Sequence, residues 1–196
     1  MEKLIETFRI ENGKPLCLAE HQRRVEESTR RLTGRQTGIN LKDIHIPPQY
    51  EKGIVKCSVT YDERLCGVVF RHYRPAIIRK LKAVFADRAD YSLKYADRTL
   101  FSKLLEQKGD CDDIIIIRQG LVTDTSYSNI VFSDGSDYFT PDSFLLNGCR
   151  RRRLLAQKRI RQRRITVDDI GKYEYALMIN AMLDMEDNPC KIEVVI

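Results

Sequence analysis

Apolar and polar positions alternate over residues 2–10, where Leu4, Phe8 and Ile10 are set among polar neighbours. A period of two predicts a half-buried strand, and "ENGK" at 11–14 predicts the turn that ends it. The period then lengthens. Leu18, His21, Val25, Ser28 and Leu32 recur three or four residues apart, which predicts a helix over 19–32 with Gly34 as its stop. "HIPPQY" reads as a loop. Three strand-like runs follow: "GIVKCSVTYD", "LCGVVFRHY" and, after Pro75, "AIIRKLKAVF". "DERL" links the first two, and the expectation is one antiparallel sheet packed on the helix.

A polar break, "ADRAD", precedes a second region that starts near Asp87. Residues 98–108 have a helical pattern, and "DDIIIIRQG" reads as a buried strand. "SNIVFSDGSDYFTP" predicts a hairpin turning on Asp134-Gly135. A helix is predicted from Asn147-Gly148 through "CRRRRLLAQKR", and a short helix capped by Thr166 in "ITVDDIGKY". "EYALMINAM" and "CKIEVVI" read as closing strands. The fold class expected is α+β, in two small domains: an N-terminal antiparallel sheet with a helix over 1–86, and a C-terminal barrel-like mixed sheet with helices over 87–196.

Composition narrows the setting. The 196 residues are 42% hydrophobic and 32% charged, enough for a core and a solvated surface. No apolar run approaches the ~20 residues a membrane helix needs. The acidic, alternating N-terminus is unlike a signal peptide, so a cytoplasmic protein with no membrane partner is expected. Six scattered cysteines form no C-x-x-C pair and three histidines do not cluster with them, which argues against a metal site or a disulfide framework. The net charge of +6 arises in one segment, "RRRRLLAQKRIRQRR" (150–164), without which the chain would be acidic overall. A nucleic-acid module built on that segment should contain stacking aromatics, and it has none.

The familiar nucleotide, metalloprotease and nucleophile-elbow motifs are absent. Three weaker features remain. Arg24 lies on the shoulder of the helix stripe and needs an anionic partner. That partner is either a helix neighbour, Glu20 or Glu27, or a ligand phosphate held bidentately. Asp124, in "VTDTSYSNIVF", falls at the end of an apolar strand, where it either caps its own loop or faces a ligand. Gly148 opens a helix directly, so the backbone N–H groups of 148–150 form either an ordinary helix start or an anion site. Lys94, in "YSLKYADR", is by itself either a surface charge or a functional amine.

Their order along the chain resembles the fold-type IV pyridoxal-phosphate enzymes, which include the class IV aminotransferases of branched-chain and D-amino acids and 4-amino-4-deoxychorismate lyase. "ETFRIENGKPLCLAEHQRRVEES" is similar to the family's strand, Gly turn and H-x-x-R helix; "KYADR" to the segment opened by its Schiff-base lysine; and "TDTSYSNIVF" to T-E-x-S-x-S-N-x-F. "TPDSFLLNGCRRRRLL" is similar to T-P…L-L-x-G-I-x-R, and "YEYALMINAM" to the late strand that closes over the phosphate. The resemblance implies pyridoxal 5'-phosphate as cofactor, in a cleft between the two domains. It would be bound by Lys94, by Arg24, by Asp124 at the ring nitrogen, by the helix start at Gly148, Cys149 and Arg150, and by Ile179 and Asn180. Three departures stand out: Asp124 replaces the usual Glu, Arg150 stands near a usual Thr, and the family's strands before "ETF" are missing.

Within that family "KYADR" is closest to the lyase form, since the aromatic residue common in aminotransferases is replaced by Thr99. The implied reaction releases pyruvate and forms 4-aminobenzoate, a step of folate biosynthesis, with Lys94 moving the proton and Thr7 as a candidate proton donor. Arg71, His72 and Arg74 are candidates for a substrate carboxylate. The alternatives are a class IV aminotransferase or a cofactor-binding homologue that has lost activity. A small amine or amino-acid substrate and a homodimer are implied, and a nucleic-acid partner is not.

Overall fold

Leu4, Phe8 and Ile10 set the phase of the first sheet. They lie on one face of strand β1 (Leu4–Glu11) and pack with alternate residues of β3 (Ile54–Tyr61), namely Val55, Cys57, Val59 and Tyr61. The helix α1 (Leu18–Thr33) covers that face through Val25. A short β2 (Lys14–Pro15) and an edge strand β4 (Leu65–His72) complete an antiparallel sheet in the order β2-β1-β3-β4. The turn into β2 places Asn12 and Gly13 in the left-handed region (φ 48° and 76°), which suits Asn and Gly. Gly34, at φ 73°, ends α1 by donating its N–H to Arg30 O. The computed structural model describes residues 2–188 and 190–196.

One further segment belongs to this unit. Residues 93–97 lie along the free side of β1: Tyr95 bridges Leu4 antiparallel, and Ile5 N–H donates to Lys94 O at 2.8 Å. Leu93 and Tyr95 join the apolar core on the helix side. Lys94, between them, is half-buried, with its carbonyl turned to β1.

The second unit holds a mixed sheet. Its strands are β5 (Lys80–Phe85), β6 (Asp113–Arg118), β7 (Leu121–Thr125), β8 (Asn129–Ser133), β9 (Tyr138–Pro141), β10 (Arg161–Arg163), β11 (Tyr175–Ile179) and β12 (Glu193–Val195). The order is β10-β9-β8-β7-β6-β5-β12, with β11 also paired to β8. Helices α2 (Thr99–Leu105) and α3 (Cys149–Ala156) accompany it. Leu81, Ala83, Ile115, Ile117, Ile130, Phe132 and Met178 form its main core. The 3-10 turn Val167–Lys172 starts at Thr166, whose hydroxyl and backbone both engage the Asp169 carboxylate.

The run "AIIRKLKAVF" behaves differently from its sequence reading. It does not extend the first sheet; β5 pairs in parallel with β6 and β12, and Leu81 and Ala83 enter the second core. An apolar run shows that a strand is buried but not against which partner. The chain accordingly groups as Met1–Arg74 with Leu93–Asp97, and Pro75–Ser92 with Arg98–Ile196, where a single boundary at 86/87 was expected.

Candidate active site

In the first unit the strand phase buries one acid among apolar residues. Glu6, completely inaccessible, shares the helix-side face of β1 with Leu4 and Phe8. Arg24 reaches it from α1 with two nitrogens: Nε donates to Oε2 at 2.7 Å and Nη2 to Oε1. His21 Nδ1 lies 2.9 Å from Oε1, which also accepts the Thr7 N–H at 2.8 Å. Burial by itself would raise the Glu6 pKa, but Arg24 and His21 hold the carboxyl well below its usual range. Glu6, on the strand, is thus a partner of Arg24 that helix spacing, which pointed to Glu20 or Glu27, did not offer. An acid in the buried phase of β1 was the signal that could have revealed it.

The other face of the same sheet carries different chemistry. Thr7, Ser58 and Val69 form one row across β1, β3 and β4, because Thr7 pairs with Ser58 and Ser58 with Val69. The next row is Arg9, Lys56 and Arg71, three cations directly opposite one another. Arg9 also meets Glu11 at 3.4 Å. Lys94 lies beside the start of β1, its carbonyl accepting the Ile5 N–H two residues before Thr7. His72 is not on this face: it pairs with Val55 on the helix side, and its ring lies 5.4 Å from that of Tyr50. Arg71 and His72 thus point to opposite faces, and Arg74 lies exposed beyond the strand.

In the second unit Asp124 is the second-to-last residue of β7 and is buried, at 6% exposure. Its Oδ1 accepts from Asn129 Nδ2 at 2.7 Å, and its Oδ2 from the Leu145 and Leu146 N–H groups at 3.0 and 2.8 Å. Burial pushes the Asp124 pKa up to about 6, although these three donors and the charge of Arg151 pull it down. Asn129 is fixed in turn, since its Nδ2 also donates to Leu146 O at 2.8 Å.

Gly148 caps α3 against this same asparagine. A Cβ on Gly148 would lie 2.2 Å from Asn129 Oδ1, so only glycine lets the start of the helix come this close. The first turn of α3, from Cys149, presents backbone N–H groups at the positive end of the helix. Arg150 itself turns away: Nη1 donates to Asp184 Oδ2 at 2.7 Å and Nε approaches Asn180 O at 3.5 Å. Asn180, just beyond β11 and Ile179, donates from Nδ2 to Ser128 Oγ at 2.8 Å.

Within this unit, then, Asp124, Gly148, Arg150 and Asn180 are linked through hydrogen bonds or close approach by way of Asn129 and Ser128. Those two residues, and Arg151, were not singled out from the sequence. Asn129 and Ser128 were within the quoted "TDTSYSNIVF" but had no partner legible there. Among the described residues no group of three or more His, Cys, Asp or Glu could hold a metal ion.

A protein-family model described as amino-transferase class IV matches residues 80–185. An uncharacterized protein of Haemophilus influenzae is 37% identical over 185 residues, covering 93% of this chain and 98% of its own. Among solved structures, a candidate 4-amino-4-deoxychorismate lyase of Haemophilus somnus 129pt is 35% identical with a TM-score of 0.78, over 93% of this chain and 97% of that one. The pyridoxal-phosphate-bound form of a hypothetical aminotransferase of Mycobacterium tuberculosis, 14% identical, shares the fold at a TM-score of 0.70, over 98% and 81%.

Proposed function

Because this chain belongs to the class IV aminotransferase family, whose members are pyridoxal-phosphate-dependent enzymes, we propose that it binds pyridoxal phosphate through Lys94 and acts as a lyase of the 4-amino-4-deoxychorismate type, releasing pyruvate and forming 4-aminobenzoate. The observation that carries the reading is the placement of Lys94 against β1, where its carbonyl accepts the Ile5 N–H at 2.8 Å, two residues before Thr7. The lyase assignment is supported by the "KYADR" segment with Thr99, and by the likeness to the Haemophilus somnus protein over nearly its whole length.

The residues present fit such a cofactor. Gly148 lets Asn129 pack against the start of α3, whose first-turn N–H groups at the positive end of the helix are what a phosphate cradle requires. Asp124 is a buried acid that would sit opposite a ring nitrogen. The bound cofactor supplies an electron sink for charge at the carbon bearing the substrate nitrogen. Lys94 Nζ would hold the cofactor at its aldehyde carbon and, once displaced by the substrate amine, would move the proton at the substrate carbon that bears nitrogen. Asp124 would keep the ring nitrogen protonated. Arg24, its guanidinium fixed by Glu6, would offer its charge to the phosphate, together with the N–H groups of Cys149 and Arg150 and the residues Ile179 and Asn180. Thr7, two residues along β1 from the Ile5 N–H that holds Lys94 O, would donate a proton. The row Arg9, Lys56 and Arg71 lies one strand pair beyond Thr7, about 7 Å along β1, and would receive a substrate carboxylate.

Pyruvate release from 4-amino-4-deoxychorismate, assayed beside amino transfer from amino-acid donors, tests the reading. Pyruvate with stoichiometric 4-aminobenzoate supports the lyase. Amino transfer alone would establish the aminotransferase, the reading that the family match over residues 80–185 also favours. Arg71→Ala should raise KM for a carboxylate-bearing substrate about tenfold or more while leaving cofactor binding intact; unchanged KM would remove Arg71 from the site.

A further inference from the structure

The loop between β9 and α3 is fastened by one buried guanidinium. Arg151, in the first turn of α3, is only 2% exposed. Its Nη2 donates to Pro141 O at 2.8 Å, its Nη1 donates to Asn147 Oδ1 at 3.0 Å, and its guanidinium carbon sits 4.4 Å from the centre of the Phe144 ring. These contacts grip the start, middle and end of the loop. Between them lie Leu145 and Leu146, whose N–H groups both donate to Asp124 Oδ2. The other arginines of the run are placed differently: Arg150 is engaged by Asp184, Arg152 is half-buried and Arg153 is exposed.

Arginine is rarely buried to this degree without an acid in direct contact. Here both hydrogen-bond acceptors are neutral. The carboxylates that act on the Arg151 charge do so across space, Asp124 first and Asp142 second, while burial opposes that charge. An apolar side chain of similar volume would fill the same space without that desolvation penalty. The charge acts on Asp124 in a buried setting that screens little.

We propose that Arg151 is a positioning residue for Asp124: it pins the 141–147 loop so that two backbone N–H groups stay on Asp124 Oδ2, and its charge keeps Asp124 a carboxylate in a buried site. The importance of that carboxylate rests on the proposed role of Asp124 opposite the cofactor ring. Arg151 touches no reacting atom and acts only through the loop and its field.

The test needs no cofactor. Carboxyl carbons of aspartate-labelled apo protein are titrated by 13C NMR, and the Asp124 resonance is assigned by its loss in Asp124→Asn. In the unmodified chain the expected midpoint is near pH 6, where burial pushes it. In Arg151→Met, with charge and bridge both gone, the midpoint rises by about one pH unit or more. Arg151→Lys keeps the charge but cannot span Pro141 and Asn147, and its midpoint rises by about half as much. An unchanged midpoint in folded Arg151→Met overturns the proposal; where Arg151→Met fails to fold, an unchanged midpoint in Arg151→Lys does so. Failure of the cofactor reading is distinguishable, because it would appear as unmodified protein that binds no pyridoxal phosphate while the apo titration still answers for Arg151.

Discussion

Glu6 and Asp124 are both buried carboxyls, and their surroundings push them in opposite directions. Glu6 has a folded pKa below its usual 4.5, so the stability it contributes is complete above that value and is lost as pH falls through the folded pKa. Asp124, raised from 3.8 to about 6, does the reverse. The fold takes up its proton, and above pH 6 the group costs roughly 3 kcal/mol that is recovered as pH falls from about 6 to 4. Thermal unfolding followed against pH should therefore show Glu6→Gln destabilised by about 3–5 kcal/mol at neutral pH, with a flatter acid limb, because it leaves Arg24 buried without its carboxylate. Asp124→Asn should flatten the pH 4–6 region. An acid limb in Glu6→Gln identical to that of the unmodified chain would contradict the assignment of Glu6 as a partner of Arg24. Asp124 was singled out in the sequence, and Glu6 was not. Their contrast was not legible there, because it depends on whether a cation or only neutral donors reach each carboxylate in three dimensions.

Local elements were read well where the sequence carries its own punctuation. The helix over 19–32 appears as Leu18–Thr33, stopped by Gly34; the hairpin on Asp134-Gly135 joins β8 to β9; and Thr166 caps the short turn at 167–172. Strand partners were read poorly. "AIIRKLKAVF" was assigned to the wrong sheet, since parallel pairing with β6 and β12 leaves no turn or alternation to find. The start of α3 lies between these cases. Gly148 stood out in the sequence as a helix opener, whereas the reason for glycine, an asparagine oxygen 2.2 Å from where a Cβ would sit, comes from β8. Gly148→Ala should move either the helix start or Asn129, lowering stability by about 1–3 kcal/mol and weakening pyridoxal-phosphate binding. Equal cofactor affinity in the alanine variant, measured by absorbance titration, would show that the close approach has no part in the site.

Across the whole molecule, chemistry is distributed over distant parts of the chain. Residues 5–9, 54–60 and 69–71 supply one face of the first sheet, and 93–97 returns to the same unit after an excursion into the second. The net charge of +6 has little to do with this. Its arginine-rich source is divided among a loop brace (Arg151), ion pairs (Arg150 with Asp184, Arg159 with Glu186, Arg161 with Asp137), a half-buried Arg152 and exposed positions such as Arg153. Sequence order alone therefore exposed the set of five segments, while the positioning residues Glu6, Asn129 and Arg151 became visible only through packing. The most direct test of the account is the absorbance spectrum of the purified chain with pyridoxal phosphate, with and without borohydride, for the unmodified protein and Lys94→Ala. A band near ~420 nm that borohydride bleaches, absent in Lys94→Ala together with at least ~100-fold of the activity, is the result predicted. An unmodified protein that stays colourless, or a Lys94→Ala variant that keeps the band and its borohydride trapping, would contradict it.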